Sequence, residues 1–144
     1  MKKKRAAAQP TAVPCDSRLW SASSQQSYSR VQKEYRDHAY RCRVCGKDAV
    51  FSALEQKIVY ETKKAYIHQQ RVLCASCWDD SLHVRAQVGA CELRWAREKA
   101  VLASDRAFLR AWHDLLLSRE RYGARQNFAL KAMLAKLLGR LDGR

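Results

Sequence analysis

Proline and glycine are scarce in this chain of 144 residues, with two and five copies, and acidic residues are half as numerous as basic ones, 14 Asp and Glu against 28 Lys and Arg. So few chain breakers exclude an all-β sandwich, which needs a turn roughly every eight to twelve residues, and leave helix as the default. No apolar run approaches the ~18 residues of a membrane span, so no membrane partner is expected. The basic start, MKKKR, is followed by AAAQPTAVP instead of an apolar core. No secretory signal is read there, and the chain is expected in the cytoplasm. A Gly-rich phosphate loop, GxSxG, HExxH and a Ser/His/Asp arrangement are all missing, so the chain is expected not to be an enzyme.

What is present is positive charge and cysteine. The formal net charge is +14 with histidines neutral. Residues 1–77 hold 15 Lys and Arg against 6 Asp and Glu, and residues 78–144 hold 13 against 8, so the excess is concentrated in the front half. An excess of this size favours an acidic partner such as RNA or DNA without naming one. Six cysteines stand at Cys15, Cys42, Cys45, Cys74, Cys77 and Cys91. Four of them form two CxxC pairs, a spacing that reads as metal before disulfide in a reducing compartment. A tight CxxC turn brings two sulfurs onto one ion at ~2.3 Å, and two such pairs supply the four thiolates of a tetrahedral zinc site. Cys42, Cys45, Cys74 and Cys77 are therefore the expected ligands of one structural Zn2+. Gly46 allows the turn its positive φ, and Arg43 and Lys47 offset the charge of the thiolates. A redox role would need one privileged pair in a βαβ setting, which is not seen. Cys15 and Cys91 receive no role.

Between the pairs, Ser52-Ala-Leu-Glu55 has the form of a capping box, with the Ser52 hydroxyl accepting from the Glu55 amide and the Glu55 side chain reaching back to the Ser52 amide. A helix is expected to start there, to end near Lys63 and Lys64, and to be followed by an extended return through Ala65, Tyr66 and Ile67. The stretch from Tyr40 through Cys42-Arg-Val-Cys45-Gly46, Val50-Phe51-Ser52-Ala-Leu-Glu55-Gln56 and Tyr60-Glu61 to Arg71-Val-Leu-Cys74-Ala-Ser-Cys77 resembles the probable zinc-ribbon domain of small bacterial proteins. The resemblance covers about 38 residues, 40–77. It implies that Cys42, Cys45, Cys74 and Cys77 bind zinc and that Phe51, Glu55 and Gln56 belong to the framework; it implies no activity. Trp78 stands where relatives often carry a basic residue.

The candidate nucleic-acid surface is Arg41, Arg43, Lys47, Lys57, Lys63, Lys64, Arg71 and Tyr66, with Tyr40, Tyr60 and Trp78 interleaved. Cations would meet phosphate, and rings would stack on unpaired bases, which favours RNA or single strands. The same tyrosines are equally suited to packing a small ribbon whose cations solvate it. His38, His68, His83 and His113 lie at no ligand spacing and are read as surface or packing residues, while Asp79 and Asp80 suit the first turn of a helix.

The remaining segments complete the architecture. Residues 1–27, with Pro10, Pro14 and the run SASSQQS, offer too little apolar surface to offset ordering entropy and are expected to be a disordered basic tail. Tyr28, Val31, Tyr35 and Ala39 recur at helical spacing and predict a short helix entering the cysteine module. From Cys91 to Tyr122, Val101, Leu102, Phe108, Leu109, Trp112 and Leu116 predict one long helix or two stacked ones. Gly123 is the expected stop, and Leu130, Met133, Leu134, Leu137, Leu138 and Leu141 predict a last helix, giving a hairpin. The fold class is thus small α+β: a disordered tail over 1–27, a four-cysteine zinc ribbon over 28–78 and a helical region over 79–144. Two functions fit it. One is non-enzymatic, zinc-dependent association with nucleic acid; the other is a protein-interaction adaptor or homodimer in which the C-terminal helices hold a partner and zinc is purely structural.

Overall fold

Val13 and Tyr35 face each other across the first pair of strands, β1 (Ala12–Pro14) and β2 (Glu34–Arg36), which run antiparallel. The structure is a computed structural model and describes residues 9–27 and 32–143. Its order continues as α1 (Ala22–Ser27), β3 (His38–Arg41), β4 (Asp48–Phe51), α2 (Ala53–Lys57) with a π-turn over Ile58–Thr62, then three helices, α3 (Ala75–Leu102), α4 (Arg106–Arg121) and α5 (Phe128–Asp142). β3 and β4 form a second antiparallel hairpin, in register from His38 opposite Phe51 to Arg41 opposite Asp48. The small α+β class expected from the sequence is what is found. By contacts the chain divides into two units, residues 1–74 and 75–144.

The first unit departs from expectation at its N-terminus. From residue 9 onward the segment read as a disordered tail is folded: β1, a 3-10 turn over Ser17–Leu19 and α1 are all present. Few apolar residues suffice because they are well used. Val13 and Trp20 are buried with Tyr35, Phe51, Ala53 and Tyr60 in one core. The Trp20 indole donates to the Tyr35 hydroxyl at 2.7 Å, so its polar atom enters the core satisfied. The basic start, residues 1–5, lies outside the described residues.

The short helix expected around Tyr28–Ala39 is also corrected. Tyr28 and Val31 lie outside the described residues, and Tyr35 sits in β2, fully buried. Its neighbours Glu34 and Arg36 are less buried, so a period of two governs here and pairing with β1 overrides the weak helical spacing.

The helix at Ser52 forms as expected, with the hydroxyl accepting from the Glu55 amide at 3.1 Å. Only this half of the box is made. The Glu55 carboxylate pairs with Arg71 at 2.7 Å, and Asp37 accepts from the Ala53 amide at 2.8 Å as a second cap. Gln56 is buried and its side-chain amide donates to the Arg36 and Phe51 carbonyls, a framework role that the resemblance implied. The helix ends where Lys64 takes a left-handed φ of 58°. No return strand follows. Residues 65–73 form a loop in which the Ile67 amide donates to the Ser24 hydroxyl at 3.0 Å, so α1 supplies the partner that a strand would have needed.

In the second unit the expected hairpin forms from α4 and α5, and the stretch before α5 is two helices: the second cysteine pair itself opens a helix, and α3 runs from there to Leu102. Asp79 and Asp80 consequently fall beyond the first turn of α3. Asp105 caps α4 through the Phe108 amide, Gly123 with φ 103° follows the end of α4, and Asn127 caps α5 through the Leu130 amide. Val88, Leu102, Phe108, Leu109, Trp112, Leu116 and Leu134 are buried together, with Trp95, Cys91, Leu137 and Leu141 packed against them. Arg106 pairs with Asp142, and Lys131 with Glu120 at 2.6 Å, tying α4 to α5 at both ends. Among the described residues no helix is long and apolar enough to cross a membrane.

Candidate metal centre

Cys42 leaves β3 directly after Arg41, and the chain turns through Arg43, Val44 and Cys45 before β4 begins. The Gly46 amide donates back to the Cys42 carbonyl at 3.0 Å, and the Cys42 amide to the Lys47 carbonyl at 2.8 Å. Gly46 takes a φ of 73°, the left-handed conformation that the sequence reading assigned to it. These bonds close the knuckle and present both sulfurs on one side of the hairpin.

The second pair is brought there by two bonds that the sequence does not announce. The Arg43 amide donates to the Val72 carbonyl at 2.9 Å, and the Tyr40 hydroxyl to the Leu73 carbonyl at 2.8 Å. Leu73 is itself buried. Residues 72–73 are thereby stitched to the first knuckle, and Cys74 follows at once. Cys77 lies in the first turn of α3, so the second pair sits on a helix start and not on a strand knuckle.

All four sulfurs, of Cys42, Cys45, Cys74 and Cys77, lie within 4.8 Å of one another, with Cys45 and Cys74 at 3.6 Å. Ligands ~2.3 Å from a tetrahedral zinc stand about 3.8 Å apart, so the cluster fits one ion. Backbone amides near Cys45 and Cys74 donate toward Cys42 and hold its thiol down to about 6 from the ordinary 9.0. The site therefore favours the ionised sulfur that zinc requires. Four protein ligands leave no position for a reacting water, so a bound zinc here is structural. Cys15 and Cys91 stand outside the cluster, and burial pushes both thiols up, away from ligand character.

The predicted cations divide into two groups. Lys57 donates to the Pro14 carbonyl and pairs with Glu61, and Lys64 donates to the Leu19 carbonyl, so both hold the N-terminal segment in place. Arg41 donates to the Gly46 carbonyl, and Arg71 pairs with Glu55 while lying 4.0 Å from the Phe51 ring centroid. Arg43, Lys47 and Lys63 are exposed. Tyr66 is also exposed and meets His68 edge to face. Beside them is a groove of ≈ 230 Å³ lined by Phe51, Tyr60, His38, His68, Gln70 and Arg71 among others. The sequence reading did not join His38 and Gln70 to this surface, since only the β3–β4 register and the 65–73 loop bring them together.

Residues 36–85 match a family model described as a probable treble clef domain. The matched segment contains all four clustered cysteines, the β3–β4 hairpin that carries the first pair and the helix start that carries the second. The matched segment is consistent with the zinc-ribbon resemblance read from the sequence, and together with the four clustered cysteines it supports a zinc-binding role. No curated protein and no solved structure matches the chain.

Proposed function

We propose that the zinc-bound module is a non-catalytic, cytoplasmic nucleic-acid-binding element that takes single strands, RNA above DNA. The observation that carries this reading is the groove of the 65–73 loop. It sets two aromatic rings, Phe51 and Tyr60, among imidazole, amide and guanidinium groups, with exposed Arg43 following from the bond between its amide and the Val72 carbonyl. The exposed Tyr66 ring beside the groove would stack on a base and the groove's amides and imidazoles would read base edges, while exposed Arg43, Lys47 and Lys63 would meet phosphates. The reading moves Lys57 and Lys64 out of the contact set, because both are committed to the fold.

Fluorescence anisotropy of labelled single-stranded RNA, duplex RNA and duplex DNA, titrated with zinc-loaded protein at several salt concentrations, tests it. A similarly basic unrelated protein serves as control. Single-stranded RNA is expected to bind beyond the control; Arg43→Ala with Lys47→Ala is expected to lower the salt slope by about one to two units. Tyr66→Ala is expected to weaken binding by about fivefold or more without changing that slope. Binding no tighter than the control's would overturn the reading and leave the charge as a solubility feature.

A further inference from the structure

Helix α3 is apolar on two sides. Val84, Val88, Cys91 and Trp95 point into the core of the second unit. At 100° per residue, Trp78, Leu82, Gly89, Leu93 and Ala96 fall within about 60° of one another, on a face turned roughly 140° from the core-facing set. This second face is open: Trp78 is 54 %, Leu82 43 % and Leu93 63 % exposed. Large apolar groups aligned along one helix face in this way mark an interaction surface more often than a solvated one. The stripe is flat in the middle, where nothing lies within 4 Å of a Cβ built on Gly89.

The charges beside the stripe indicate what covers it. On one flank stand Arg85 and Glu92, and on the other Asp79 and Arg97; all four are exposed, and among the described residues none has an ion-pair partner. A two-fold axis crossing two antiparallel copies of α3 brings each flank against the same flank of the other copy with the chain direction reversed. An axis near Gly89 then sets Arg85 against Glu92 of the second copy and Asp79 against its Arg97, each pair made twice. The same axis places the bulk of Leu82 opposite Ala96 and lets the two backbones approach at Gly89. Both flanks and the stripe give the same centre independently. The helix is regular across this span and departs from helical φ and ψ only at Glu98, one residue past the last pair.

We propose that the protein self-associates as an antiparallel dimer through this outer face of α3, with a second copy of the chain as its partner. This assigns self-association to α3. Leu109, Trp112, Leu116 and Leu134, on the C-terminal helices that the sequence offered for self-association, are consumed by the core. About 20 residues at 1.5 Å rise make a contact ~30 Å long, at the small end of specific interfaces, so the dimer forms in the micromolar range.

Sedimentation velocity of the zinc-loaded full chain tests this, from low micromolar to about 100 μM, where a micromolar dimer is essentially complete. The dimer is expected to build with concentration. Leu93→Glu is expected to raise the dissociation constant by about tenfold or more with unchanged helical circular dichroism, since the side chain touches nothing in its own core. Arg85→Glu is expected to weaken the dimer several-fold by setting like charges together, and Arg85→Glu with Glu92→Arg is expected to restore it. A monomer at every concentration overturns the proposal. So does a dimer indifferent to Leu93→Glu, and failure of the charge swap to rescue overturns the antiparallel register. None of these readouts involves nucleic acid.

Discussion

The two units of this chain reach stability by different routes. The second buries seven side chains of three helices around Trp112, supported by caps at Asp105 and Asn127. The first gathers six in its hydrophobic core, and its strands are three or four residues long. A core that small seldom holds a fold alone. Two polar devices make up the difference. One is the cluster of four sulfurs; the other is Glu61, which accepts from the Asp16 amide at 2.8 Å, from Lys57 at 2.8 Å and from the Tyr35 hydroxyl at 3.1 Å. The contrast shows how a chain of one composition can use hydrophobic packing where the helices are long and directed polar bonds where the elements are short.

Removing zinc with a chelator, or Cys42→Ser, breaks the comparison most severely. Metal binding in modules of this kind is worth roughly 10–16 kcal/mol in apparent terms, more than a small unit has in reserve. The amide dispersion of residues 9–74 in a heteronuclear NMR spectrum is expected to collapse while the α4 and α5 resonances and most of the far-ultraviolet helical signal persist. Collapse of both units together would show that the division is not thermodynamic.

The converse change is Trp112→Ala. It removes the centre of the helical core, where Trp95 and Phe108 lie 5.6 and 5.7 Å away by ring centroid, and is expected to destabilise that unit by about 3–5 kcal/mol. Zinc content measured by metal analysis should remain at one per chain, and urea unfolding followed by circular dichroism should show the loss.

Glu61→Gln is expected to have the smallest effect, about 1–3 kcal/mol against the first unit at neutral pH, because the amide keeps the shape and loses the charge-assisted bonds. Burial pushes this carboxyl up, but its bonds with Lys57, the Asp16 amide and Tyr35 outweigh that and hold it below the ordinary 4.5. A depressed value contributes stability that is present above pH 4.5 and is lost as pH falls through the lowered value. The stability gap between wild type and Glu61→Gln should therefore be full at pH 7 and close on acidification. Taking the difference between the two proteins cancels the loss of zinc common to both. A gap that does not change with pH would assign Glu61 a packing role alone.

The cysteine spacing, the Ser52 cap, the Gly46 and Gly123 turns and the helical period from Leu109 to Leu141 were all legible, because each is a local signal of fixed geometry. Tyr35 was misread for the opposite reason. Its environment is made by residues far away in the chain, Val13 across the β1–β2 pair and Glu61 beyond α2, and no window of neighbouring residues contains it. Lys57 and Lys64 illustrate the same limit: as sequence they are two more cations, whereas in the structure their ammonium groups hold the carbonyls of Pro14 and Leu19.

By itself the sequence determined that this chain binds a metal, which four residues do so, and that its second half is helical, since ligand type, ligand spacing and apolar period are properties of the covalent chain. The tertiary structure alone decided which cations are committed to the fold, that a polar N-terminal segment folds, and that α3 carries a second apolar face. Those outcomes depend on which groups meet across long loops, and burial, pairing and exposure exist only once they have met.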